Sequence, residues 1–196
     1  MKRHIFIICV LCALACALTG CKPVKKPVYD EYAGLNTKLG ASYSQISITV
    51  NNTFTDEDIT LESKYTVKYS QSEITVDYKV ERFASVSLEN PTDEVKTVYE
   101  GTAVIVGGII SGGSEVGLTA DISKLSLNFK EEYFNNAVLT GIFFKADVKN
   151  ASAFLGADVS CTDMTVSAEY VEVFSVIEIN YTESGNKIQY LYEFTI

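Results

Sequence analysis

Apolar and polar residues alternate with a period of two along most of the chain, which is the pattern of strands with one buried face. From Thr60 to Ser70, Leu61, Tyr65, Val67 and Tyr69 share one face, while Glu62, Lys64, Thr66, Lys68 and Ser70 share the other. A polar turn at Gln71-Ser72 follows, and then Ile74, Val76, Tyr78 and Val80 alternate with Glu73, Thr75, Asp77, Lys79 and Glu81. These two segments predict a long antiparallel hairpin with one wet face. The C-terminus repeats the design, with Ile177, Ile179 and Tyr181, a turn at Glu183-Ser184-Gly185-Asn186, and Ile188, Tyr190, Tyr192, Phe194 and Ile196.

Further strands are predicted over Tyr43 to Asn51, Lys96 to Val106, Leu118 to Phe129, Val138 to Val148 and Met164 to Tyr170. Helix is scarce. Short helices are expected at Asp30 to Leu39, with Gly40 beyond, at Glu131 to Asn136, and at Asn150 to Leu155, where Asn150 is a cap and Gly156 a stop. The predicted fold is mainly β, about eight or nine long antiparallel strands with a few short helices. Strands this long and one-sided make a large apolar face that must be covered. Helices this short do not suffice, so the sheet is expected to curl into a half-barrel, barrel or sandwich, or to leave a cleft.

The first residues follow another pattern. Lys2 and Arg3 precede a wholly apolar run from Ile5 to Leu18, and Thr19, Gly20 and Cys21 follow it. A positive start, a short apolar stretch and a small-residue exit describe a secretory signal. The run is too short for a membrane span, which takes about 20 residues. Leu18-Thr19-Gly20-Cys21 resembles the lipobox of bacterial lipoproteins at every position. The resemblance implies cleavage after Gly20, a diacylglyceryl group on Cys21, and a protein held at a membrane. That places it at the outer membrane or periplasm, or on the outer surface of a single-membrane cell. Two acyl chains suffice for stable attachment. Lys22, Lys25 and Lys26 beside the anchor add attraction to anionic lipid, and Pro23 and Pro27 favour an extended tether. The division expected is signal 1–20, tether 21–31 and one β-rich domain 32–196.

Processing would change the chemistry on offer. Loss of residues 1–20 removes the single histidine, His4, together with Cys9, Cys12 and Cys16, and moves the formal net charge from −9 to −11. With Cys21 acylated, Cys161 is the one free thiol left, which excludes an internal disulfide. Nucleophile–histidine arrangements and zinc, copper or haem sites lose their ligands as well. No cofactor is expected. The acidic surface repels nucleic acid. Carboxylate chemistry survives in principle: Glu131, Glu132 and Asp163 are candidate acids, and Asp56-Glu57-Asp58 offers oxygens to calcium, although without the spaced ligands of a calcium loop it reads as a solvated acidic turn. Gly107 to Gly113 lacks the Lys-Ser/Thr of a phosphate loop and reads as a turn. Cys161 reads as a small core residue.

Tyrosines carry the remaining signal. Tyr65, Tyr69, Tyr78, Tyr181, Tyr190 and Tyr192 all belong to apolar strand faces. Each combines a large apolar ring with a hydroxyl that seeks a partner or water. They either line a partly wet concavity for a lipid or other amphiphile, or pack a core with hydroxyls at its rim. An anchored domain of long one-sided antiparallel strands looks like the LolA/LolB and mycobacterial LppX/LprG-type lipoproteins. That architectural resemblance spans Tyr43 to Ile196 and carries no residue-level motif. It implies a curved half-barrel cradling lipid or acyl chains. The expectation is a non-enzymatic envelope protein that binds a lipid or hydrophobic ligand, with a structural or protein-interaction module as the alternative.

Overall fold

Strand pairing follows the alternation almost residue for residue. In the computed structural model, which describes residues 26–84, 95–161 and 163–196, ten strands form one antiparallel sheet. They are β1 (Gln45–Phe54), β2 (Ile59–Tyr69), β3 (Ile74–Ala84), β4 (Val95–Val106) and β5 (Ile109–Ser111). The second half comprises β6 (Phe134–Thr140), β7 (Phe143–Val148), β8 (Thr165–Val171), β9 (Val173–Glu183) and β10 (Asn186–Thr195). Their spatial order is β5-β4-β3-β2-β1-β10-β9-β8-β7-β6. The sheet has two edges and does not close, so it is neither a barrel nor a pair of stacked sheets. The β1–β10 pairing, with Ile46 opposite Phe194 and Ile48 opposite Tyr192, joins the halves.

Because paired residues point the same way, register carries one apolar face across every strand. Ile46, Val67, Val76 and Ala103 make one row through β1–β4; Tyr192, Ile177, Ala168 and Phe144 make another through β10–β7. Most of these side chains are fully buried. What covers them is a helix and a strap. Helix α1 (Lys26–Lys38) lays Val28, Tyr29, Tyr32 and Leu35 on the sheet, a stripe of helical spacing. Pro27 sits in its first turn, where a missing N–H costs nothing. Gly40, at φ +78°, turns the chain beyond its end. The strap, residues 112–133, crosses the same face as three 3₁₀ turns joined by extended chain. Helix α2 (Ala151–Leu155) adds Phe154; Asn150 Oδ1 accepts from the Ala153 N–H and Gly156 is left-handed, as its sequence predicts.

Several expectations need correction. Leu118 to Phe129 is no strand: its alternation is real, with Leu125, Leu127 and Phe129 buried, but its backbone joins no ladder. Alternation reports one buried face, and a strap facing a sheet satisfies that as well as a strand does. Val138 to Val148 is a hairpin rather than one strand, broken at Gly141 (φ +59°). Glu131 to Asn136 is a single 3₁₀ turn, Glu131–Tyr133, entering β6. The Gly107–Gly113 stretch holds the hairpin turn into β5, where Ile110 pairs with Ile105. Helix α1 starts four residues before the expected Asp30, so Val28 and Tyr29, expected in an extended tether, are core residues. With the strap it performs the covering that a second layer of sheet was expected to supply.

Phe129 is the hub of the covered region. Its ring centroid lies 4.7 Å from Tyr32, 5.0 Å from Phe134, 5.5 Å from Phe144 and 5.8 Å from Phe154, joining strap, helices and sheet in one aromatic cluster.

Candidate functional site

The strap does not seal the face evenly. Between it and the middle of the sheet lies a cleft of about 340 Å³. Its floor is Ile48 and Val50 of β1, Tyr65 of β2, and Tyr190 and Tyr192 of β10; its roof is Val116, Leu118, Ile122 and Leu125 of the strap. Asp121 and Lys124 stand at its rim, 3.9 Å apart. A hollow of this size, with aliphatic side chains on both walls and phenols, hydroxyls and charges among them, has the make-up of a small-molecule site.

The roof is held by hydrogen bonds from both directions. Asn36 of α1 donates to the Leu125 carbonyl and accepts from the Leu125 N–H, each at 2.8 Å, so one amide side chain stands in for a neighbouring strand. The Tyr69 hydroxyl donates to the Ser123 carbonyl at 2.8 Å, and the Tyr78 hydroxyl donates to the Glu115 carboxylate. That last bond lowers the Glu115 carboxyl and raises the Tyr78 phenol relative to their ordinary values. Gly101 on β4 makes room for it, since a Cβ there would run into the Tyr78 hydroxyl oxygen.

The six tyrosines singled out by the pattern therefore divide into three groups. Tyr65, Tyr190 and Tyr192 line the cleft; Tyr69 and Tyr78 tie down the strap; Tyr181 stacks on Tyr190 at 6.3 Å, outside the cleft. Tyr190 and Tyr192 are also stacked, at 6.3 Å, so the three rings form a ladder. Burial pushes the phenols of Tyr69, Tyr181 and Tyr192 well above the ordinary range, with Tyr190 adding to the shift of Tyr181 and Tyr192. They are neutral donors at any physiological pH. Tyr32 of α1 shares this shift, from burial and then from Tyr192, and its buried hydroxyl has no hydrogen-bond partner among the described residues. Sequence reasoning missed the strap half of the cleft, although the apolar residues Leu118, Ile122 and Leu125 were its visible trace.

The other candidates lie elsewhere. Glu131 and Glu132 are exposed on the 3₁₀ turn before β6, whereas exposed Asp163 accepts from the Thr182 N–H at 3.2 Å beside β9. No hydrogen bond or shared hollow joins them among the described residues. Asp56-Glu57-Asp58 is the exposed turn between β1 and β2, and no group of three His, Cys, Asp or Glu is placed to hold a metal among the described residues. Cys161 is half-buried; burial, then Asp163 and Glu183, push its thiol up, away from the reactive thiolate. Cys21 and the rest of the stretch that resembles a lipobox lie outside the described residues. No described helix is long and apolar enough to cross a membrane. Comparison of the chain with protein-family models and with curated proteins finds no match to either.

Proposed function

We propose that this protein is a membrane-anchored, exported lipoprotein whose domain binds an apolar or amphiphilic molecule without transforming it, using the cleft beneath the strap. The observation that carries the reading is the cleft itself: aliphatic residues on both walls, with Tyr65, Tyr190 and Tyr192 facing the same hollow. Transfer of an alkyl chain into such walls is favourable by about 0.8 kcal/mol per methylene. Tyr65, Tyr190 and Tyr192 add phenol hydroxyls that can meet a ligand's polar atom. The lipobox at Leu18-Thr19-Gly20-Cys21 supports the location, since an anchor keeps such a site within reach of lipid.

Two measurements test this. Residues 22–196, purified gently, are expected to carry lipid adducts in native mass spectrometry and to bind a fluorescent fatty acid. Val50→Phe, which fills the cleft floor with another apolar side chain, is expected to weaken probe binding at least tenfold while the fold persists. Adduct-free protein that ignores the probe would sink the reading. For the anchor, Cys21→Ser is expected to leave a larger, uncleaved precursor that no longer partitions with membranes; normal maturation of that variant would refute it.

A second reading, a protein-interaction module of the envelope, is favoured by a separate feature. Val138 (54 % exposed), Ile142 (40 %), Phe143 (57 %) and Val171 (61 %) crowd the β6–β7 hairpin and the neighbouring β8–β9 turn. The Tyr170 N–H, donating to the Ile142 carbonyl at 2.8 Å, ties these two tips together.

A further inference from the structure

The opposite, polar face of the sheet carries a larger hollow that the cleft reading leaves unused. It encloses about 650 Å³ and lies across the ends of six strands, β3, β2, β1, β10, β9 and β8. Register organises ten of its lining residues into two ranks perpendicular to the strands, and Asp163, Tyr181 and Ile188 complete the lining. The outer rank runs Phe83, Thr60, Thr53, Lys187 and Thr182, each paired with the next. The inner rank runs Glu62, Asn51, Gln189, Asn180 and Thr165. With strands about 4.8 Å apart, the ranks extend for roughly 19 Å and lie about 7 Å from one another.

These polar groups are held in place by one another. Thr53 and Thr60 hydroxyls are hydrogen-bonded at 3.1 Å, and Asn51 Nδ2 donates to Gln189 Oε1 at 3.0 Å. Gln189 and Asn180 both donate to Glu178 Oε1, at 2.7 Å and 2.9 Å. Glu62 is held by Lys64 at 2.7 Å. Each amide engaged in this way still has a donor or acceptor to offer. At one end stands Phe83, where the binary pattern of β3 inverts: Arg82 is exposed on the apolar-face side and Phe83 is half-buried on the polar side, against the hollow. Among the described residues, Phe83 is not one of the side chains packed against the core.

We infer that this hollow is a second binding site, for a neutral oligosaccharide. A sugar ring has hydroxyls around its rim and C–H groups on its faces. Fixed rows of amides, hydroxyls and a carboxylate answer the first, and the Phe83 ring answers the second. Other ligand classes fit worse. Lys187 is outweighed by Glu62 and Asp163 in the lining, and the chain's formal charge of −9 repels phosphates and acidic polymers. Among the described residues no acidic cluster suits a metal. The hollow lies on a sheet face rather than an edge, so a peptide has no strand to extend. An apolar ligand would leave the amides without partners.

The test uses the full-length chain in mild detergent. It is run through non-denaturing gels containing neutral polysaccharides (glucans, mannans, galactans and chitosan-free chitin fragments) or an anionic one, and matching oligosaccharides are titrated by calorimetry. At least one neutral glycan is expected to retard the protein, with little change on adding salt. Phe83→Ala should weaken it at least tenfold at unchanged thermal midpoint, Phe83→Tyr should retain it, and Asn51→Leu should weaken it independently. A saturating fatty-acid probe should not compete, which separates this site from the cleft whether or not the cleft reading holds. The proposal is overturned if no neutral glycan retards the chain, if binding is confined to the anionic polymer, if Phe83→Ala and Asn51→Leu both bind like the parent, or if the fatty-acid probe displaces the sugar.

Discussion

At the scale of single residues, the positions that matter most are those where one side chain governs another's placement. Gly101 is the clearest. It lies directly opposite Tyr78 on the neighbouring strand, and the phenol passes over it to reach Glu115 on the strap. A methyl group there would run into the hydroxyl oxygen and sit 2.7 Å from the ring carbon bearing it, so the ring must move. Gly101→Ala is therefore expected to destabilise the fold by about 1–3 kcal/mol, the usual range for overpacking. In a Tyr78→Ala background the same substitution should cost much less, because the clash has gone. A double-mutant cycle by urea unfolding measures this; equal costs in both backgrounds would show that the phenol is not what Gly101 accommodates.

At the scale of elements, the strap is the unusual part, an extended segment without a strand partner. Its backbone is satisfied piecemeal, by Asn36 at Leu125, by Tyr69 at Ser123 and by the Phe154 carbonyl, which accepts from the Asn128 N–H at 2.6 Å. Its packing depends on Phe129, 4 % exposed and in contact with rings from both helices and from β6, β7 and β9. Phe129→Ala should cost about 3–5 kcal/mol, typical of a large aromatic removed from a core. Hydrogen exchange should then show the strap and α1 losing protection before the β1–β2–β10 centre of the sheet. Uniform loss across all elements would mean that strap, helix and sheet open as one unit.

For the molecule as a whole, buried phenols set the response to alkali. Burial, then Glu131, push Tyr29 up to about 12, and burial pushes Tyr32, Tyr69, Tyr181 and Tyr192 the same way. An unfolded tyrosine loses its proton near pH 10. Between pH 10 and 12 the unfolded chain thus holds fewer protons than the folded one, and stability falls with rising pH. The contribution of these phenols is fully present below pH 10 and is lost as pH climbs through the folded values. The thermal midpoint should be level from pH 7 to about 9.5 and fall steeply above about 10. Phenolate absorbance from these residues should appear together with unfolding; ionisation in the intact fold would contradict their burial.

Much of this architecture is legible in the chain because β alternation is a local property. Leu61 to Tyr69 and Ile74 to Val80 announce both the strands and the face each buries, and Asn150 with Gly156 marks a short helix from its ends alone. Alternation cannot say whether an extended segment pairs with a neighbour or lies across a face, so Leu118 to Phe129 looks like a strand until Asn36 is seen occupying its backbone. Nor does it say which tyrosine hydroxyl meets water and which meets a carbonyl. Tyr65 and Tyr69 share one face of the same strand, yet one lines the cleft and the other anchors its roof. The ranks on the polar face are equally silent in one dimension, since Asn51, Gln189 and Asn180 become neighbours only through the pairing of β1 with β10 and β10 with β9. The chain by itself determined strands, faces and the lipobox pattern, which depend on residues a few positions apart. The cleft, its roof and the polar hollow were decided by tertiary structure, because long-range register and packing bring together side chains from distant strands and loops.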